Sequence, residues 1–176
     1  MKIAVAGATG TVGRHVVVVA HQRGHEVLAL SRAAGVDLTS GLGLAEMLSG
    51  SQTMIDVTSG DVTSGQVTVG PFTIIPTMIS QPVAAREVAE RLIFHAESGP
   101  NGLDTDRAGP HVLRMADMVT RYAKAIGDTA RILELPLPGG FGRALRNSTL
   151  VASPSADHGK QTFSEWADSV ERLSWR

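Results

Sequence analysis

The first 30 residues, MKIAVAGATGTVGRHVVVVAHQRGHEVLAL, restrict the fold more than any other stretch of the chain. Lys2 to Ala6 is a short apolar run ending at glycine, the pattern of a strand buried on both faces. Gly7-Ala8-Thr9-Gly10-Thr11-Val12-Gly13 follows, and then Thr11 to Arg23 runs on to a stop at Gly24. The run of four valines from Val16 to Val19 favours a strand by propensity. A glycine turn before it, a glycine cap after it and strands on both sides predict a helix instead. His25 to Leu30 reads as the second strand, Gly35 to Leu38 as a short third, Leu42 to Leu48 as a short helix and Gln52 to Val57 as a fourth strand. Strands alternating with helices imply a parallel sheet.

The alternation fails after Val57. Asp56 to Gly70 reads DVTSGDVTSGQVTVG, a five-residue phrase said twice and then blurred. It has no helical period, so a loop or irregular hairpin is expected. Phe72 to Ile75 is a candidate strand between Pro71 and Pro76. Pro82 opens an amphipathic helix, VAAREVAERLIFHAES, with Val83, Val88, Leu92 and Phe94 facing inward and Gly99-Pro100 as its stop. A second helix is expected from Val112 to Ile126, with Met115, Met118, Val119, Tyr122 and Ile126 on one stripe and Gly127 as cap. Arg131 to Leu135 reads as a strand, and Phe141 to Arg146 and Thr162 to Leu173 as closing helices.

A phosphate-binding turn asks for glycine at the sharp exit from a strand, glycine where a pyrophosphate nears the backbone, and glycine where helix packs closely on strand. Gly7, Gly10 and Gly13 stand at those three places. The helix start adds unpaired N–H groups, and Thr9 and Thr11 add hydroxyls. A tight strand-to-helix turn alone would use the same glycines; the strand before and the helix after favour nucleotide binding. The second strand ends Leu30-Ser31-Arg32, where an NAD site would place a carboxylate for the ribose 2′-OH. A hydroxyl beside a guanidinium suits a 2′-phosphate, which favours NADP(H) over NAD(H). Asp37 stands where it could meet the adenine rim, and is equally well explained as a turn residue.

Composition sets outer bounds. At 176 residues, 43% hydrophobic and 19% charged, the chain has the make-up of a globular protein of ordinary domain size. Its net charge of -1, with no Lys/Arg run beyond a pair, argues against direct nucleic-acid binding. The absence of cysteine excludes disulfides, thiolate nucleophiles and cysteine-ligated metals. No apolar stretch reaches membrane-spanning length and no leader is evident, so a cytoplasmic location without a membrane partner is expected. His21 and His25 have helical metal spacing, but Gly24 intervenes and no third ligand is near, so no metal is expected. Pro138 to Arg143 resembles an anion loop, yet lacks the P-loop Lys-Ser/Thr and reads as a plain turn.

GATGTVG, the strand ending in Ser-Arg, GVDLTSG and IDVTS together resemble the NmrA-like group of atypical short-chain dehydrogenase/reductases. QPVAAREVAERL and DRAGPHVLRMADMV resemble the C-terminal part of the same group. The likeness covers most of residues 1–59 and, less specifically, 77–172. It implies that Gly7, Thr9, Gly10, Thr11 and Val12 line the pyrophosphate, with Gly13 completing the loop. It further implies that Ser31 and Arg32 hold the 2′-phosphate, that Asp37 and Leu38 border adenine, and that Thr58 and Ser59 approach the inner ribose.

Members of that group continue after the fourth strand with further strands and, in many, a helix bearing Tyr-x-x-x-Lys. No such segment is found here. The only tyrosine, Tyr122, has Lys124 two residues on, pointing to another side of a helix, and is expected to be a core residue. DVTSGDVTSG then resembles a seam, with the fourth strand joined directly to the family's last third. The expected fold class is α/β, a Rossmann-like parallel sheet with flanking helices. It is an incomplete doubly wound fold with a small, mostly helical C-terminal part. Residues 1–59 are expected to form a dinucleotide-binding half, 60–76 an irregular junction, and 77–176 a substrate-side part packed on it. The catalytic residues are left unassigned. Three readings follow: an NADP(H)-dependent oxidoreductase acting on a small carbonyl or quinone-like substrate; a non-catalytic dinucleotide sensor working through a protein partner; and a chain that dimerises to cover an exposed sheet edge.

Overall fold

Strand β1 (Lys2–Ala6) is buried from Ile3 to Ala6 because it is apolar on both faces. In the computed structural model, which describes residues 1–30, 36, 40, 43–58 and 67–174, it lies at the centre of a three-stranded parallel sheet. Strand β2 (Glu26–Leu30) pairs on one side, with Ala6 opposite Leu30, and β3 (Thr53–Asp56) on the other, with Ala6 opposite Asp56. Here β3 is the strand expected over Gln52 to Val57. The third expected strand, Gly35 to Leu38, falls outside the described residues apart from Val36, which is buried.

Alternation along β1 sends Ile3 and Val5 to one face and Ala4 and Ala6 to the other. On the first face they meet Val16, Val19 and Ala20 of α1 (Gly13–Gln22) and Ala89 and Ile93 of α3 (Ala85–Ser98). On the second they meet Leu30 and Val36, flanked by Leu44, Met47 and Leu48 of α2 (Leu44–Leu48). The valine-rich segment is therefore helical, as its brackets predict, and Gly24 closes it at φ 78°.

Helix α3 departs from its expected face. Its buried positions are Ala89 and Ile93, with Leu92 partly covered, while Phe94 is 47% exposed and Val83 precedes the helix. A small residue at 89 lets α3 approach α1 closely, and that turns the longer Phe94 outward, where Arg91 lies 5.5 Å from its ring centre. The helix is also pinned by charge. Glu97 accepts from Arg23 Nη1 at 2.7 Å and pairs with His25 Nε2 at 2.8 Å. Asp104 accepts a two-pronged contact from Arg91 at 2.8 and 2.9 Å and lies 2.6 Å from His95 Nε2.

These elements form one compact unit, Met1–Val62 with Ala85–Asp104; Thr63–Ala84 with Thr105–Arg176 form a second. In the second unit β4 (Val67–Val69) and β5 (Phe72–Pro76) make an antiparallel hairpin about Gly70, and β5 pairs in parallel with β9 (Arg131–Leu135). Helix α4 (Met115–Ala125) packs on β5 and β9, and α6 (Phe163–Ser174) packs on α4. Two short pairs complete the strands of this unit: β6 (Ile79–Ser80) antiparallel to β8 (Leu113–Arg114), and β7 (Arg107–Ala108) parallel to β10 (Asp157–His158). Helix α5 (Gly139–Arg146) lies between β9 and β10 in the chain. Gly109 is required by space, since a Cβ there would stand 1.7 Å from the Pro82 carbonyl oxygen. The QPVA and AGP segments thus meet backbone to backbone. Thr162 and Glu165 cap α6 reciprocally, Glu165 N–H donating to Thr162 Oγ1 at 3.1 Å and Thr162 N–H to Glu165 Oε2 at 2.8 Å. The architecture is α/β, with a Rossmann-like parallel sheet and flanking helices in the first unit and helices joined by a second, small sheet in the other.

Candidate functional site

The turn from β1 into α1 is built on its glycines. Gly7 has φ 75°, a left-handed conformation, and a Cβ on it would stand 2.9 Å from the Val57 carbonyl carbon and oxygen. Gly13 is more constrained, because its Cβ would fall 2.0 Å from the Gly7 oxygen. Gly10 N–H donates to Gly7 O at 2.9 Å, closing a tight turn, and Gly10 O accepts the Arg14 N–H at 3.1 Å. Between them the amides of Thr11, Val12 and Gly13 donate to no described residue. Thr9, Gly10 and Thr11 are exposed, and the first turn of α1 carries no acidic side chain. The loop therefore presents free N–H groups, two threonine hydroxyls and the positive end of a helix dipole, with nothing of its own to neutralise them.

This loop lies at the carboxyl edge of the sheet, beside the ends of β2 and β3. The chain passes from β1 through α1 to β2 on one side, and β3 lies on the other, so the strand order reverses at the loop. In open α/β sheets ligands bind at such a reversal. Of the other residues expected here, Thr58 lies two residues past the end of β3. Its N–H and its hydroxyl both donate to Asp56 Oδ1, at 2.9 and 2.7 Å. Those bonds, the backbone one first, hold the Asp56 carboxyl below its usual range and keep it ionised. Asp56 was not among the expected site residues; the Asp-x-Thr spacing of an Asx-type turn is the signal that marks it. Ser31, Arg32, Asp37, Leu38 and Ser59 lie outside the described residues.

Tyr122 is 41% exposed rather than a core residue, with its ring stacked on Trp166 at 5.7 Å. It is displaced outward because the smaller Ala123 and Ala125 take the buried positions of α4. Among the described residues no group of three His, Asp or Glu side chains could hold a metal ion, and no helix is long and apolar enough to cross a membrane.

No curated protein matches the chain. Residues 3–71, which run from β1 through the glycine loop to the hairpin turn, match the model of the NAD dependent epimerase/dehydratase family, and this supports a place in the NAD(P)-binding, short-chain-dehydrogenase-like superfamily.

Proposed function

We propose that the chain is an NAD(P)(H)-binding oxidoreductase of the NmrA-like, atypical short-chain dehydrogenase/reductase type, which prefers NADPH and reduces a small carbonyl or quinone-like acceptor. The observation that carries this reading is the glycine loop at the start of α1, where the amides of Thr11, Val12 and Gly13 donate to no described residue and Thr9, Gly10 and Thr11 are exposed. The donor set fits a diphosphate, being all N–H and O–H with no carboxylate inside the loop. Ser31 and Arg32 in the sequence support the 2′-phosphate and hence NADPH. The bound nicotinamide would supply the hydride. The chain's own part is positioning: the loop holds the phosphates, and the Asp56–Thr58 turn fixes the backbone that packs on Gly7. A sensor without chemistry is the second reading. It is favoured by the sole tyrosine, which has Ile126 rather than lysine four residues on.

Calorimetric titration of NADPH and NADH into the wild type, Arg32→Ala and Gly10→Ala tests the proposal. NADPH is expected to bind more tightly, Arg32→Ala to erase most of that preference, and Gly10→Ala to weaken both nucleotides. Equal affinities in the wild type overturn the NADPH preference, and binding of neither overturns the whole reading. NADPH oxidation over a panel of quinones and aldehydes then separates enzyme from sensor, since intact binding with no turnover leaves the sensor.

A further inference from the structure

The chain has two asparagines, and their surroundings differ. Asn147 follows α5 and is held there. Its Oδ1 accepts the Thr149 N–H at 3.1 Å and the Thr149 hydroxyl, its own N–H donates to Arg143 O at 3.1 Å, and the next residue is Ser148. Asn101 lies in the loop between α3 and β7, where residues 99–106 are all exposed. Neither Asn101 nor Gly102 hydrogen-bonds to a described residue. Gly102 stands at φ 75°, and a Cβ on it would meet nothing within 4 Å, so neither a side chain nor a neighbour crowds the peptide that follows Asn101.

We propose that Asn101 is a site of spontaneous covalent modification, in which the Gly102 amide nitrogen attacks the Asn101 side-chain carbonyl. The new N–Cγ bond forms as the Cγ–Nδ2 bond breaks, and Nδ2 leaves as ammonia with the proton that the Gly102 nitrogen gives up. Water then opens the five-membered succinimide ring. Attack at the side-chain carbonyl yields aspartate, and attack at the main-chain carbonyl yields isoaspartate. Water is the only reagent consumed. The reaction needs an unbonded backbone nitrogen, no side chain on the following residue and a loop with room to bend, and residues 101–102 offer all three. Asp104, three residues on, ends the first unit and anchors α3 through Arg91 and His95. Isoaspartate at 101 lengthens the main chain by a methylene just before that anchor and thereby loosens it. The inference is independent of the function proposed for the glycine loop.

The test incubates the folded full chain at mildly alkaline pH and maps it with trypsin, which puts the two asparagines on separate peptides, residues 92–107 and 147–160. The first peptide is expected to split into the original form and two later forms of equal, slightly higher mass, aspartate and isoaspartate, while the second stays intact. Gly102→Ala, which sets a methyl group beside the attacking nitrogen, should slow this at least several-fold. Because φ 75° strains that variant, Asn101→Gln, whose ring would need six members, serves as a second and should stop it. In concentrated guanidinium chloride the reaction at Asn147 should quicken as its turn opens, and that at Asn101 should change little. Aged wild type should melt at a lower temperature than fresh protein, and Asn101→Gln aged in parallel should not. An Asn101 that stays unmodified in the folded chain, or reacts no faster than Asn147, overturns the proposal; aged and fresh wild type that melt alike overturn its consequence for α3.

Discussion

Gly13 has no room for a side chain, because the nearest obstacle is backbone that cannot swing away: the Gly7 oxygen, 2.0 Å from an added Cβ. Gly13→Ala is expected to cost about 3 kcal/mol, read by urea denaturation, as overpacking against a fixed wall does. Gly10→Ala, whose Cβ would stand 3.2 Å from the same oxygen, should fold with far smaller loss while impairing nucleotide binding. Glu97 sets a pH dependence. The hydrogen bond from His25, then the contacts with Arg23, lower its pKa from the ordinary 4.5. A depressed carboxyl adds stability that is present above pH 4.5 and is lost as pH falls through the folded value. Thermal melts from pH 6 to 3.5 should show that loss, and Glu97→Gln should flatten it. The glycine spacing was legible because a strand, a turn and a helix follow one another within a few residues. The Glu97 contacts were not, since Arg23 and His25 are 74 and 72 residues away and no local pattern joins them.

Helices were legible where their ends are marked. Helix α1 was predicted against the propensity of its valines because Gly13 and Gly24 bracket it, and its packing against β1 repays the poor propensity. The inward face of α3 was misjudged because hydrophobicity alone ranks Phe94 above Ala89, whereas close helix contact ranks them the other way. Ile93 is fully buried between α3 and the sheet, so Ile93→Ala is expected to cost about 2–5 kcal/mol in chemical denaturation. At α6 the reciprocal cap of Thr162 and Glu165 should make Thr162→Ala cost about 1 kcal/mol. Both strands of the β5–β9 pair were expected singly. Their parallel pairing was not, because 54 residues separate Pro76 from Arg131 and nothing local announces which strand meets which.

The chain enters the second unit at Thr63, returns to the first at Ala85 and leaves it again at Thr105. The family match ends at residue 71, before α3 begins. A fragment of residues 1–76 would therefore lack Ala89 and Ile93, the side chains that roof α1 and one face of β1. It is expected to show no cooperative melt by circular dichroism, whereas the full chain should melt cooperatively. Grafting this scaffold onto another protein would accordingly take two splices instead of one, because the stretch that a sequence match picks out leaves one covered face of the sheet unfinished until a later stretch of the same polypeptide lays a second helix beside the first.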